Sequence, residues 1–159
     1  MRRWMIYVVV VGLALLLKPK DVKDVGELIP VELLYINREA GSIRAETDTG
    51  AVGTGRNLED ALKDVTETAP GTIFLETADY LIVTDRTVNL LPRLTEVLRP
   101  ATQVCVGINA GADAAAFLKA HPSEMTLKDI RAGQEDIPTL IGSKERYHFG
   151  ESWKGRQKA

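Results

Sequence analysis

The sequence predicts an α/β domain on a small mixed sheet, with an N-terminal β-hairpin, alternating helices and strands after it, and the helices in a single layer. Three observations predict this. Two runs near the start, Ile29–Ile36 and Ser42–Asp48, flank the turn Asn37-Arg38-Glu39-Ala40-Gly41 and read as a hairpin with a longer loop. Two apolar runs follow, Ala78–Thr84 and Thr102–Ile108, each short enough for a buried strand. A helical pattern separates those two, and a strand–helix–strand step favours a parallel pair with a right-handed crossover.

Each further element has its own local reason. Thr49 to Gly55 holds three glycines and reads as a flexible connection. Asn57 is placed to cap the next helix, with Asp60 three residues on, and Leu58, Ala61, Leu62 and Val65 fall on one face. Pro70-Gly71 stops that helix. Thr72 to Leu75 is a short strand. A second helix over Asn89–Leu98 carries Pro92 near its first turn, where proline is tolerated. Ala112 to Ala120 is an alanine-rich helix halted by His121-Pro122. The sequence thus divides into an anchor or signal-type segment at 1–20, an α/β domain at 21–122, and a basic segment at 123–159. Weak periodicity and Gly133, Gly142, Gly150 and Gly155 predict little structure in that last part.

Charge is unevenly spread. The net charge is −2 over 159 residues, yet 11 bases face 20 acids between residues 21 and 143. An acidic body argues against nucleic acid as a partner, because binding there requires a cationic surface. Cys105 is the single cysteine, so neither an intrachain disulfide nor a multi-cysteine metal site is available. Its setting, Val104-Cys105-Val106, predicts a buried, inert thiol. His121 and His148 lie far apart without a ligand-spaced partner. No cofactor and no enzymatic activity are expected.

Residues 4–17 contain no charge and follow Arg2-Arg3. The run has the length of a signal-type core and is shorter than the roughly 20 residues that cross a bilayer unaided. Trp4 and Tyr7 at one end, with Lys18 and Lys20 at the other, extend it by interfacial anchoring and snorkelling. Membrane lipid is therefore one expected partner, and the basic start favours a domain facing outside the cytoplasm.

Two glycine-rich stretches invite a phosphate-loop interpretation. Gly53-Thr54-Gly55 lacks the third glycine of a dinucleotide fingerprint, Leu58 standing in its place, so a turn into a capped helix is the better account. Gly107-Ile108-Asn109-Ala110-Gly111 joins a strand to a helix start. With Asp85 it falls near the carboxyl ends of the predicted parallel strands, where ligands bind in open α/β sheets. Asp85, Asn109 and Gly111 are the candidate ligand-binding residues. Asp79 and Asp85 flank one strand six positions apart and form no evident carboxylate pair.

A family resemblance rests on order and spacing. An apolar segment is followed by Lys23-Asp24-Val25-Gly26-Glu27-Leu28-Ile29-Pro30-Val31, which leads into Leu34-Tyr35-Ile36-Asn37. Next come Gly55-Arg56-Asn57-Leu58-Glu59-Asp60-Ala61-Leu62, Tyr80-Leu81-Ile82-Val83-Thr84, Leu98-Arg99, Val104-Cys105-Val106 and Gly111-Ala112-Asp113. Over residues 23–120 this resembles the first domain of Ger(x)C-type spore germination proteins. The resemblance implies a non-catalytic accessory or assembly protein at a membrane, the spore inner membrane, beside integral-membrane receptor subunits. It carries no catalytic residue. Two features depart from the family: no cysteine follows the apolar segment to take a lipid, and the chain has room for only the first of three domains. The alternative function is an extracytoplasmic small-ligand sensor that binds at the Gly107–Gly111 loop.

Overall fold

A computed structural model describes residues 28–143 and 146–154. The anchor residues Trp4, Tyr7, Lys18 and Lys20 lie outside them. Among the described residues nine strands and four α-helices follow in chain order: β1 (Leu28–Pro30), β2 (Leu33–Glu39), β3 (Ser42–Thr47), β4 (Val52–Gly55), α1 (Leu58–Thr68), β5 (Thr72–Phe74), β6 (Tyr80–Val83), α2 (Leu91–Val97), β7 (Gln103–Ile108), α3 (Ala115–Ala120), α4 (Leu127–Arg131), β8 (Thr139–Ser143) and β9 (Arg146–Phe149). Short 3-10 turns at Leu75–Thr77, Val88–Leu90 and Ala112–Ala114 join several of them.

Seven strands form the main sheet in the order β4-β3-β2-β6-β7-β8-β9. Its centre, β2-β6-β7-β8, is parallel, while the outer pairings β2–β3, β3–β4 and β8–β9 are antiparallel. β1 and β5 make a separate two-stranded parallel sheet. The α/β class, the mixed sheet and the parallel β6–β7 step are as the sequence predicts.

Alternation along the strands sorts the core into two faces. Leu34, Ile36, Leu81, Val83, Val104 and Val106 share one cluster with Leu62 and Val65 of α1, Leu94 of α2 and Leu127 of α4. Leu33, Ile82, Cys105 and Leu140 share the other with Ala114 and Leu118, from the α3 side. The helices therefore do not form a single layer; α3 covers the second face. A fully buried leucine such as Leu81 or Leu94 contributes about 1.5–3 kcal/mol.

α1 forms for the reasons its sequence gives. Asn57 Oδ1 accepts from the Asp60 amide at 2.8 Å, and all four apolar positions are buried. The glycine-rich stretch before it is not a flexible connection, because Val52–Gly55 is the edge strand β4. A Cβ at Gly53 would overlap the Val65 amide nitrogen and the Ala61 carbonyl of α1. The glycines are there to let helix and strand backbones touch. α1 also seals the edge: Asp64 Oδ2 accepts from the Thr54 amide at 2.7 Å, and the Thr68 hydroxyl donates to the Val52 carbonyl at 2.9 Å.

The predicted longer hairpin loop is a two-residue turn. Ala40 and Gly41 take φ of 48° and 87°, the type I′ pattern that matches the twist of paired strands. The segment after residue 123, expected to hold little structure, carries α4, β8 and β9 and completes the sheet. Its elements span only four or five residues each, too few to show a period. Gly142 breaks the pattern of β8 because a side chain there would overlap the Asn109 carbonyl.

Candidate functional site

The chain leaves β6 and β7 toward opposite faces, since α2 belongs to one core cluster and α3 to the other. Neighbouring parallel strands whose exits diverge leave a crevice outside their carboxyl ends. A cleft of about 680 Å³ lies there, and the adjacent end of β2 extends it. β2 contributes Tyr35, Asn37, Arg38 and Glu39, the exit of β6 contributes Thr84, Asp85 and Arg86, and β7 contributes Val106, Gly107, Ile108 and Asn109. Ala40 and Trp153 complete the wall.

A buried hydroxyl network fixes two of these walls relative to each other. The Thr84 amide donates to Thr87 Oγ1 at 2.9 Å, and that hydroxyl donates to the Ile36 carbonyl at 2.9 Å. Asn37 Oδ1 accepts from the Thr84 hydroxyl at 3.2 Å and from the Arg38 amide at 2.7 Å. The Asn37 amide group in turn donates to Glu39 Oε1 at 3.3 Å. The strand carrying Arg38 and the loop carrying Asp85 and Arg86 are thereby joined.

Charge in the cleft is balanced but not internally paired. Arg38, Glu39, Asp85 and Arg86 take part in none of the ion pairs among the described residues. Burial, with Glu39 and then Glu46 nearby, pushes the Tyr35 phenol up from its usual range, so it remains a hydrogen-bond donor at neutral pH. Ile108 is 46% exposed and gives the cleft an apolar patch. Ala40 and Asn109 are the two non-glycine residues with positive φ among those described, and both line this cleft. Strained backbone of this kind gathers at ligand sites.

Trp153 arrives from the C-terminal segment. Its amide donates to the Ile137 carbonyl at 2.7 Å, which docks the segment across the open end of the sheet. Trp153 also borders a groove of about 410 Å³ whose walls include Val88, Leu91 and Ile137 together with the polar Asn89, Gln134 and Glu135.

Of the residues singled out from sequence, Asp85 and Asn109 meet in the cleft, with Gly107 and Ile108 of the same loop. Gly111 does not line it. It precedes the 3-10 turn at Ala112–Ala114 with extended backbone, and the chain has by then turned to the other face. Asp79 sits at the opposite end of β6 and pairs with Arg99. Cys105 is buried and its thiol is pushed up to about 12 by desolvation. His121 stacks on Phe117, with ring centroids 4.6 Å apart, at the end of α3. Among the described residues no group of three His, Cys, Asp or Glu side chains is placed to hold a metal ion, and no helix is long and apolar enough to cross a membrane.

Sequence reasoning missed Tyr35, Asn37, Arg38, Glu39 and Trp153. Asn37 to Gly41 looked like a turn and nothing more. The signal that places them is the parallel pairing of β2 with β6, Tyr35 opposite Ile82 and Ile36 opposite Val83, which brings the end of β2 to the same edge as Asp85. No known protein family, curated protein or solved structure matches the chain.

Proposed function

We propose that this domain is a non-catalytic binding module that holds a small polar ligand at the carboxyl edge of its sheet. The observation that carries the proposal is the cleft itself: four charged side chains from two chain segments, unpaired with one another, around a balanced and partly apolar hollow. Arginine, carboxylate, amide and phenol groups together suit recognition of a ligand with both donors and acceptors. Preorganisation supports the same reading, because the Thr84–Thr87–Ile36 network holds the walls in place before any ligand arrives. A thermal-shift screen of the full-length chain in mild detergent tests it. A ligand at 100 times its dissociation constant should add about 2.7 kcal/mol of stability. An Asp85→Ala, Arg86→Ala double variant should lose that gain, and a gain that survives the double variant would place the ligand elsewhere.

A second reading concerns where the module works. The uncharged run at residues 4–17 and the element order shared with Ger(x)C-type proteins support a domain tethered to a membrane, outside the cytoplasm, beside integral-membrane receptor subunits. In this arrangement the cleft informs or stabilises a membrane complex. Fractionation of native cells, followed by crosslinking from the membrane fraction, tests it. Recovery of the full-length product in the cytosol would end this second reading and leave the first standing.

A further inference from the structure

We propose that the ligand is gripped through an oxyanion, a carboxylate or phosphate group, by the guanidinium of Arg38, and that it also carries a hydrogen-bond donor for Asp85. This rests on the cleft being a binding site, and it names the chemistry of what the cleft takes.

Arg38 is the penultimate residue of β2 and lines the cleft. Its Nε is buried and has no hydrogen-bond partner. Its side chain forms no ion pair among the described residues. An arginine with a buried, unsatisfied N–H is destabilising, and the side chain would ordinarily swing into water or pair with a nearby acid. Neither adjacent acid serves. Glu39 is exposed at the rim of the cleft, forms no ion pair among the described residues, and already accepts from the Asn37 amide group. Asp85 belongs to another segment and accepts no side-chain or backbone hydrogen bond among the described residues; the ion pairs leave it out too. The second buried orphan, Gln103 Oε1, starts β7 at the far end of the sheet, away from the cleft.

A planar guanidinium offers paired N–H donors in a fixed fork, which matches the oxygens of a carboxylate or phosphate. Arg86 adds a second cation to the same wall. Asp85 is exposed and forms no ion pair among the described residues, so a ligand that bears only an oxyanion leaves the Asp85 half of the site to water. A small acid with a hydroxyl or ammonium group beside its oxyanion satisfies both halves.

Calorimetric titration of the full-length chain in non-ionic detergent, with the fluorescence of Trp153 followed in a Trp4→Phe background, tests this. The probes are inorganic phosphate, acetate, glycolate and glycine, with uncharged acetamide and ethylene glycol as matched controls. Saturable binding of glycolate or glycine, tighter than acetate and absent for the uncharged pair, is expected. Phosphate binding more tightly than every carboxylate would assign the oxyanion as a phosphate. Arg38→Met should weaken binding about ten- to a hundredfold, while its melting temperature stays level or rises, because the orphaned N–H is removed. A purely structural arginine would instead lower the melting temperature and leave binding intact. Arg38→Lys should fall between wild type and Arg38→Met. Equal binding of the uncharged probes, or undiminished anion binding by Arg38→Met, would overturn the oxyanion assignment and leave the cleft as a binding site. Silence from every probe would overturn the assignment and count against the binding module as well.

Discussion

The Thr87 hydroxyl donates to the Ile36 carbonyl at 2.9 Å across 51 residues of chain, at a side chain with no exposure to solvent. With the Thr84 hydroxyl on Asn37 Oδ1, that contact joins the loop of Asp85 and Arg86 to the strand of Arg38. The Thr87 oxygen also accepts from the Thr84 amide at 2.9 Å. Thr87→Val preserves the shape and removes the hydroxyl, which leaves the Thr84 amide and the Ile36 carbonyl with their direct bond to each other at 3.3 Å. We expect a loss of about 1 kcal/mol in urea denaturation, together with faster amide exchange at Thr84. Unchanged stability would mean that the direct bond from the Thr84 amide to the Ile36 carbonyl compensates for the lost hydroxyl.

Gly53 sets the distance between β4 and α1. A methyl there would overlap backbone atoms of the helix, at Val65 and Ala61, and backbone cannot give way as a flexible side chain can. Gly53→Ala should destabilise the domain by about 2–3 kcal/mol. Because Asp64 and Thr68 reach the β4 edge only from a closely packed helix, the variant should also aggregate more readily. Denaturant midpoints and light scattering read the two effects separately. Wild-type behaviour in both would show that α1 can ride further out without penalty.

Legibility in the sequence followed the strength of local signals. α1 was fully visible, because a cap, an apolar stripe and a Pro-Gly stop agree over eleven residues. β6 and β7 were visible as apolar runs, and their parallel pairing followed from the helix between them. β8 and β9 were not, since each spans only four or five residues and Gly142 interrupts β8 where a side chain would overlap the Asn109 carbonyl. The site divided in the same way. Asp85 and Asn109 stand at strand ends where a positional rule applies. Arg38 required knowledge that β2 lies parallel to β6, a contact between residues more than forty apart, and Trp153 required the Ile137 bridge.

Ala40 occupies the first position of the type I′ turn at φ 48°, where a Cβ is unfavourable. Asparagine tolerates this conformation far better, and Asn-Gly is the preferred pair for such a turn. Ala40→Asn should therefore stabilise the protein by about 0.5–1 kcal/mol, seen as a higher midpoint with an unchanged denaturant slope. A loss of stability would mean that the new side chain meets the cleft wall unfavourably, since Ala40 lines the cleft.

Cys105 provides a test of folding that is independent of the cleft. The thiol is buried among Ile82 and Leu140, and desolvation alone raises it to about 12 from its ordinary value. The folded state holds this proton more tightly than the unfolded chain, so ionisation disfavours folding. Any stability linked to the group is present in full below the ordinary thiol range and falls as pH climbs from there toward 12. At pH 8 the native protein should react with an alkylating reagent only as fast as it opens, whereas the urea-unfolded chain should react like a free thiol. Cys105→Ala should leave ligand-induced fluorescence changes intact, because the residue lines no part of the cleft. Rapid native-state alkylation at pH 8, without loss of structure by circular dichroism, would contradict the packing of α3 against this face of the sheet.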